Sequence, residues 1–165
     1  MSNVSICQNL NTKLLNFSNE MSDLKMNLSK SKLITAKALF DISDSCEEPE
    51  AIYQEIRECC ILSTEHSQKA ILYADAKHNL ISKEKFKQLS RSHDNSKLQN
   101  EQQKVGISIL EPDDIAVLNN EISGPSRLNY NNIRYNQYNF DKESVKKALD
   151  VAEKAYNNLL KYLND

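Results

Sequence analysis

The stretch LNTKLLNFSNEMSDLKMNL, residues 10–28, decides the fold class. Its apolar residues are separated alternately by four and three positions, which is the spacing of a helix face that packs at a shallow angle on a neighbour. We expect this stripe to face the core, and a dimerisation seam is the other use of the same pattern. The stripe consists of Leu10, Leu14, Phe17, Met21, Leu24 and Leu28.

The same period predicts where this first helix ends and where two further long helices lie. The first should continue to about Phe40, because the Asp and Ser side chains of residues 41–45 compete for backbone hydrogen bonds. Pro49 predicts the start of a second helix that runs to about Asp75, and Asp141 is expected to cap the last helix. The second half of the second helix has an inward stripe of small residues, Ser63, Ser67, Ala70 and Ala74.

The region between the second and last helices predicts shorter elements. A helical insert surrounds Phe86, a helix spans about residues 96–105, and Pro112 opens another. Residues 126–140, SRLNYNNIRYNQYNF, have no sustained period and predict an irregular excursion. The sequence therefore predicts an all-α, up-and-down helical bundle of about four main helices plus one or two short helices, in one domain covering residues 1–165.

Composition supports this prediction and excludes several functions. The 165 residues are 39% hydrophobic and include only 2 Gly and 3 Pro, which leaves little material for turn-rich β structure. The net charge of -2 gives no global attraction to nucleic acid or acidic membranes. No apolar run is long enough to cross a bilayer and the start has no export signal, so we expect a cytoplasmic protein with free thiols. No phosphate-binding loop or complete zinc ligand set occurs, and we expect no cofactor and no metal.

Three short pieces of the chain resemble, in order, elements of one known family. Glu65 and Lys69, followed by Ala-Ile-Leu, look like its second helix, and His93-Asp94 is similar to the loop that opens its next helix. Arg134-Tyr135, before the last helix, is similar to its Arg-Tyr element. The family is the HEPN domain, a small helical bundle found in prokaryotic toxin, antitoxin and defence proteins and beside minimal nucleotidyltransferases. The resemblance covers about residues 48–164.

The chain departs from the ribonuclease members of this family at one position. Those members carry an arginine followed a few residues later by a histidine, whereas Asn139 stands where that histidine could fall. An amide has no titratable proton near neutral pH, so it does not replace imidazole as an acid or base. The resemblance therefore implies a non-catalytic or diverged member, acting as a homodimer or beside a separately encoded nucleotidyltransferase or toxin-antitoxin component.

The expected working surface joins the His93-Asp94 loop to the Arg- and Tyr-rich part of residues 126–140. Interleaved cations and aromatic rings suit RNA, a protein contact, or packing over the end of the bundle. Asp94 also fits a plain helix cap, and Glu65 with Lys69 predicts an ion pair on an exposed helix face. The remaining surface residues are Arg127, Tyr130, Arg134, Tyr135, Tyr138 and Asn139.

Two other functions stay open. One is a metal-independent endoribonuclease, in which Arg134 steadies the phosphate and His93 transfers protons. The other is a plain helical adaptor without a family connection. An arginine that faces His93 across one cleft would favour the ribonuclease, whereas a capped and buried His93 would argue against it.

Overall fold

The computed structural model describes residues 3–78, 80–119 and 140–165, with side chains from residue 16 onward except those of residues 77 and 78. These residues contain no strand, which confirms the all-α prediction. None of their helices is both long and apolar enough to span a bilayer. The six α-helices are α1 (Asn3–Ile42), α2 (Pro49–Ala74), α3 (Lys83–Ser90), α4 (Asn95–Lys104), α5 (Pro112–Leu118) and α6 (Lys142–Asn164), and short 3-10 turns, Ser43–Ser45 and Asp75–His78, follow α1 and α2.

The three long helices α1, α2 and α6 enclose the main hydrophobic core. Helix α1 runs antiparallel to α2, since Ser22 contacts Ala70 and Ser29 contacts Ser63. Helix α6 runs parallel to α2, and the short helices α3 to α5 make the return between them. The described residues thus hold three long and three short helices, and the three long ones are those that the sequence predicts. A smaller cluster under α3 and α4 consists of Leu72, Leu89 and Leu98.

The sequence signals for the helix ends are confirmed where the structure describes them. The Asp94 carboxylate accepts the Lys97 backbone N–H at 3.1 Å and caps α4, and Asp141 caps α6 in the same way. Gly106 follows α4 with a φ of 76°, a left-handed conformation that glycine adopts without steric cost. Each of these helix ends is formed by residues within about one turn of one another. The local sequence is therefore enough to predict them.

The apolar stripe of α1 does not face the core, so that prediction is wrong for the residues whose side chains are described. Phe17, Leu24 and Leu28 are 56%, 48% and 37% exposed. The buried face of α1 carries small or polar residues in its place, and their hydroxyls find partners on α2, so the face tolerates burial. The buried residues of this face are Ser22, Ser29, Leu33 and Ala36.

Hydroxyl pairs join α1 to α2. The Ser29 Oγ lies 2.7 Å from the Ser67 Oγ and 3.1 Å from the Ser63 Oγ. The Ser22 hydroxyl donates to the Ala70 carbonyl at 2.9 Å. The stripe of small residues predicted for α2 therefore packs closely against α1. The contacting residues of α1 here are serines rather than leucines.

A single buried arginine fixes α5 and α6 to α2. The Arg57 Nη2 donates to the carbonyls of Val117 and Leu118 at 3.1 and 2.6 Å, and its Nη1 donates to the Ser144 carbonyl at 2.9 Å. The guanidinium lies 5.0 Å from the centre of the Phe140 ring. Burial lowers the pKa of Arg57 to about 10, which still leaves the side chain charged at neutral pH. The last turn of α5 and the first turn of α6 therefore meet at one point on α2.

Replacing Arg57 should test how much its contacts with α5 and α6 contribute to the free energy of unfolding. We expect Arg57→Met to lower the free energy of unfolding by roughly 3 kcal/mol, because three buried carbonyls lose charged donors. Urea denaturation followed by circular dichroism measures the change. Arg91→Met is the matched control, since Arg91 is exposed and its loss should cost less than about 0.5 kcal/mol. Equal stability of the two variants would contradict the assigned role of Arg57.

Candidate functional site

Glu65, Lys69 and His93 form a contiguous group of ionisable side chains, two of them buried, in the part of the chain that the structure describes. The Glu65 Oε1 accepts a hydrogen bond from the Lys69 Nζ at 2.7 Å. The His93 Nδ1 lies 3.1 Å from the Glu65 Oε2 and 3.2 Å from its Oε1. The side chains of Glu65 and Lys69 are 1% and 3% exposed, whereas that of His93 is 49% exposed. We call these three residues the Glu65 cluster.

Local structure brings His93 to α2. Helix α3 ends at Ser90, and the Ser92 hydroxyl then accepts the backbone N–H of Asp94 at 3.2 Å. Because Asp94 in turn caps α4, the loop between α3 and α4 is held at both ends. Burial of Leu89 and Leu98 against α2 keeps this loop beside Glu65.

Buried amides hold the start of α4 against α2 next to the Glu65 cluster. The Gln68 Nε2 donates to the Asn95 Oδ1 at 2.8 Å, and the Asn95 Nδ2 donates to the Ile61 carbonyl at 3.1 Å. Farther along α4, the Gln102 Nε2 donates to the Gln68 carbonyl at 2.6 Å. These residues come from distant parts of the sequence, and no local pattern announces their pairing.

The prediction of an exposed pair between Glu65 and Lys69 is wrong, because both side chains are buried. Removing two charges from water costs several kcal/mol per ion, and their attraction offsets that cost only when the geometry is good. Lys25 on α1 adds a further cation nearby: burial lowers its pKa, the charge of Lys69 lowers it further, and Glu65 opposes both effects. One buried carboxylate therefore interacts with two lysines and an imidazole.

The neighbouring histidine and the buried cysteines have no comparable chemistry. Burial lowers the pKa of His66 to about 4, so its ring is neutral at neutral pH. Burial raises the pKa of Cys59 to about 11 and that of Cys60 to about 12, so both remain thiols. Since the thiolate is the nucleophile and the metal ligand, these cysteines act as packing residues.

The Glu65 cluster has some of the parts of an acid–base site. A carboxylate bound at one ring nitrogen of a histidine orients the ring and sets its tautomer. Cleavage of a phosphodiester also needs a cation that steadies the phosphate. Lys69 is buried and donates to Glu65, and Arg57 is bound to carbonyls at the junction of α5 and α6. His93 is half-exposed rather than buried, so the feature expected to argue against a ribonuclease is not observed.

The structure accounts for two of the residues in the predicted working surface. Asp94 is the N-cap of α4, and His93 contacts Glu65. The chain leaves the described region beside this loop, because the Asn119 Nδ2 donates to the Ser96 Oγ at 3.0 Å. The other predicted surface residues, Arg127, Tyr130, Arg134, Tyr135, Tyr138 and Asn139, lie outside the described residues.

Sequence reasoning missed the roles of Arg57 and Lys25. Each is a charged residue within an amphipathic helix, and the side chain of such a residue is usually exposed to solvent. Arg57 lies between Ile56 and the two cysteines on the face of α2 that becomes buried, which is the one signal that could have drawn attention to it.

In the ranges that the structure describes, no three His, Cys, Asp or Glu side chains lie close enough together to hold a metal ion. Comparison of the chain with protein-family models, curated proteins and solved structures finds no match. Inferences about function therefore rest on the residues and their geometry.

Removing one partner of the buried Glu65–Lys69 ion pair should lower the free energy of unfolding far more than removing one partner of an exposed ion pair. We expect Lys69→Met to lower the free energy of unfolding by roughly 3 kcal/mol, because it leaves Glu65 buried without its closest cation. Lys37→Met is the control: Lys37 pairs with Glu153 at 2.7 Å at a partly exposed site, so its loss should cost less than about 1 kcal/mol. Chemical denaturation of both variants tests the difference, and equal losses would contradict it.

His66 should make the protein less stable in acid. Its pKa is about 4 when folded and 6.5 when unconstrained, so between these values the unfolded chain binds more protons and stability falls as the pH falls. From about pH 7 to about pH 4.5, wild type should lose about 1–2 kcal/mol more than His66→Asn, after allowance for partial exposure. Denaturation at both pH values measures this, and carboxylates common to both proteins cancel. Parallel pH curves would assign the acid sensitivity to other groups.

Proposed function

We propose that this chain is a HEPN-like helical module that acts as an interaction or regulatory protein in a prokaryotic toxin-antitoxin or defence system. It would act as a homodimer or beside a partner enzyme such as a nucleotidyltransferase. One observation carries the proposal: Glu65, Lys69 and His93, which belong to two separate pieces of the family resemblance, contact one another. Residues 28 positions apart that share a family signature are expected to meet if the resemblance reflects a common fold.

The contacts of Lys69 and Asp94, and the chemistry of Asn139, favour a regulatory role over a catalytic one. Lys69 is buried and bound to Glu65, so it is not accessible to a phosphate. Asp94 caps α4, which occupies its carboxylate with a backbone N–H. Asn139 has no proton to transfer at neutral pH. The group that supports the resemblance thus joins α2 to the loop between α3 and α4.

The described contacts also support a single working surface. The described chain stops at Asn119, seven residues before the Arg- and Tyr-rich segment, and Asn119 is bound to Ser96, which lies three residues after His93. It returns at Phe140, which stacks on Arg57 beside the end of α5. We therefore propose that the loop at His93 and Asp94 contributes to one surface with the aromatic and basic residues Arg127, Tyr130, Arg134, Tyr135, Tyr138 and Asn139.

A ribonuclease is the second candidate, favoured by one specific observation. The imidazole of His93 is half-exposed while a buried carboxylate contacts its Nδ1. This is the arrangement by which a carboxylate prepares a histidine for proton transfer. In this candidate Arg134 would supply the cation that steadies the phosphate.

Incubation with RNA separates the two candidates. Total tRNA and a structured RNA are incubated in EDTA with a large excess of wild type, His93→Ala, Arg134→Ala or the surface control Lys104→Ala. We expect no cleavage by any of the four proteins, because the chain lacks the histidine that follows the arginine in ribonuclease members. Gel analysis of RNA integrity is the readout.

Cleavage by wild type and Lys104→Ala that is lost in both other variants would overturn the proposal and establish the ribonuclease. Support for the regulatory role would come from co-expression with the products of neighbouring genes. A stable complex with one of these products, together with a change in that product's activity, is the expected result.

A further inference from the structure

Helix α1 presents an apolar stripe, and the residues that the structure describes leave three of its side chains exposed. Among the described side chains, Phe17, Leu24 and Leu28 are exposed large hydrophobics, and Met21 lies between them partly exposed. In the sequence, Leu14 and Leu10 extend the same spacing toward the start of this continuous helix. The stripe lies about 110° around the helix from the serine face, at 100° per residue, so packing against α2 does not require these residues.

The length of α1 adds to this exposure. Helix α1 has 40 residues and α2 has 26, which correspond to roughly 60 and 39 Å. The contact between Ser22 and Ala70 places the end of α2 beside about residue 18 of α1. About 15 residues of α1 therefore extend beyond the end of α2, a length of roughly 22 Å.

We propose that α1 binds α1 of a second copy of this chain in a parallel, two-stranded coiled coil. Spacings of four and three place Leu14, Met21 and Leu28 at one core position of a heptad repeat and Leu10, Phe17 and Leu24 at the other. An identical helix supplies the same residues to each layer, so the stripe is complementary to itself. Six successive apolar layers span almost three heptads.

Flanking charges favour a second copy in the parallel orientation. In this register Glu20 and Lys25 occupy the two positions that border the seam, five residues apart. In a parallel pair, Glu20 of each helix faces Lys25 of the other, giving two ion pairs. In the antiparallel alignment that pairs all six apolar residues, Glu20 would face Glu20 and the two would repel.

This inference names the partner in one form of the proposed function and depends on that function for its biological meaning. The two arguments share one residue, Lys25, whose pKa also responds to Lys69 and Glu65. The Glu65 cluster lies on α2 and the loop after α3, whereas the stripe lies on the outer face of α1. RNA cleavage and self-association are therefore independent readouts, and either one can fail without the other.

Sedimentation equilibrium of the full chain tests the coiled coil. Wild type should be a dimer that dissociates on dilution, and Leu24→Glu with Leu28→Glu should weaken the dimer by roughly tenfold or more. Ile34→Glu is the matched control, because Ile34 is 57% exposed on α1 but lies off the stripe. Phe17→Glu provides a second variant, and circular dichroism verifies that each protein remains helical.

Two further measurements test the orientation. Glu20→Gln should weaken a parallel dimer, because it removes both ion pairs, whereas it would strengthen an antiparallel one. Cys7 stands at a core position seven residues before Leu14, so mild oxidation should link two parallel helices covalently. This link should persist in Cys46→Ser and be lost in Cys7→Ser.

A protein that stays monomeric at high concentration, or a dimer that the double variant does not weaken, would overturn the α1 interface. A dimer strengthened by Glu20→Gln would overturn the parallel pairing. A monomer that also fails to cleave RNA would leave the regulatory proposal in place, whereas a dimer that cleaves RNA would overturn the regulatory proposal and keep the interface.

Discussion

Helix α2 is buried along most of its length, so polar groups on its buried faces are stabilised by partners inside the protein. This constraint organises the other helices. The hydroxyls of Ser63 and Ser67 pair with α1, the guanidinium of Arg57 binds the ends of α5 and α6, and the amide of Gln68 binds α4. Glu65 and Lys69 bind each other, and His93 completes their contacts. Polar pairing on one helix thus determines where its neighbours lie.

Local chemistry made much of the fold predictable. Caps such as Asp94 and Asp141 depend on residues within one turn, so the sequence contained the information that placed them. The contacts of Arg57 and Glu65 join residues 28 to 87 positions apart, and no short pattern encodes such pairs. The period of α1 revealed an apolar face correctly, but periodicity does not say which surface will cover that face. The buried face of α1 instead includes the serines Ser22 and Ser29.

The candidate site was predictable in its parts and not in its assembly. Glu65 with Lys69 and His93 with Asp94 were recognisable because they resembled short elements of one family, and that resemblance stays a prediction. Whether an ion pair is exposed or buried depends on the neighbouring helices, which a single helix pattern does not report. The difference matters for function, since a buried pair joins helices while an exposed pair is available to a ligand.

The hydroxyl contacts between α1 and α2 also determine how the protein transmits force. Sliding α1 along α2 by one turn, roughly 5.4 Å, would leave Ser29 beside only one of its two hydroxyl partners. Helix α1 is therefore locked in axial register, unlike a helix that packs through interchangeable leucines. A load applied to its overhanging end would be taken up by bending at the point where α2 stops, and the surroundings of Glu65 would keep their geometry.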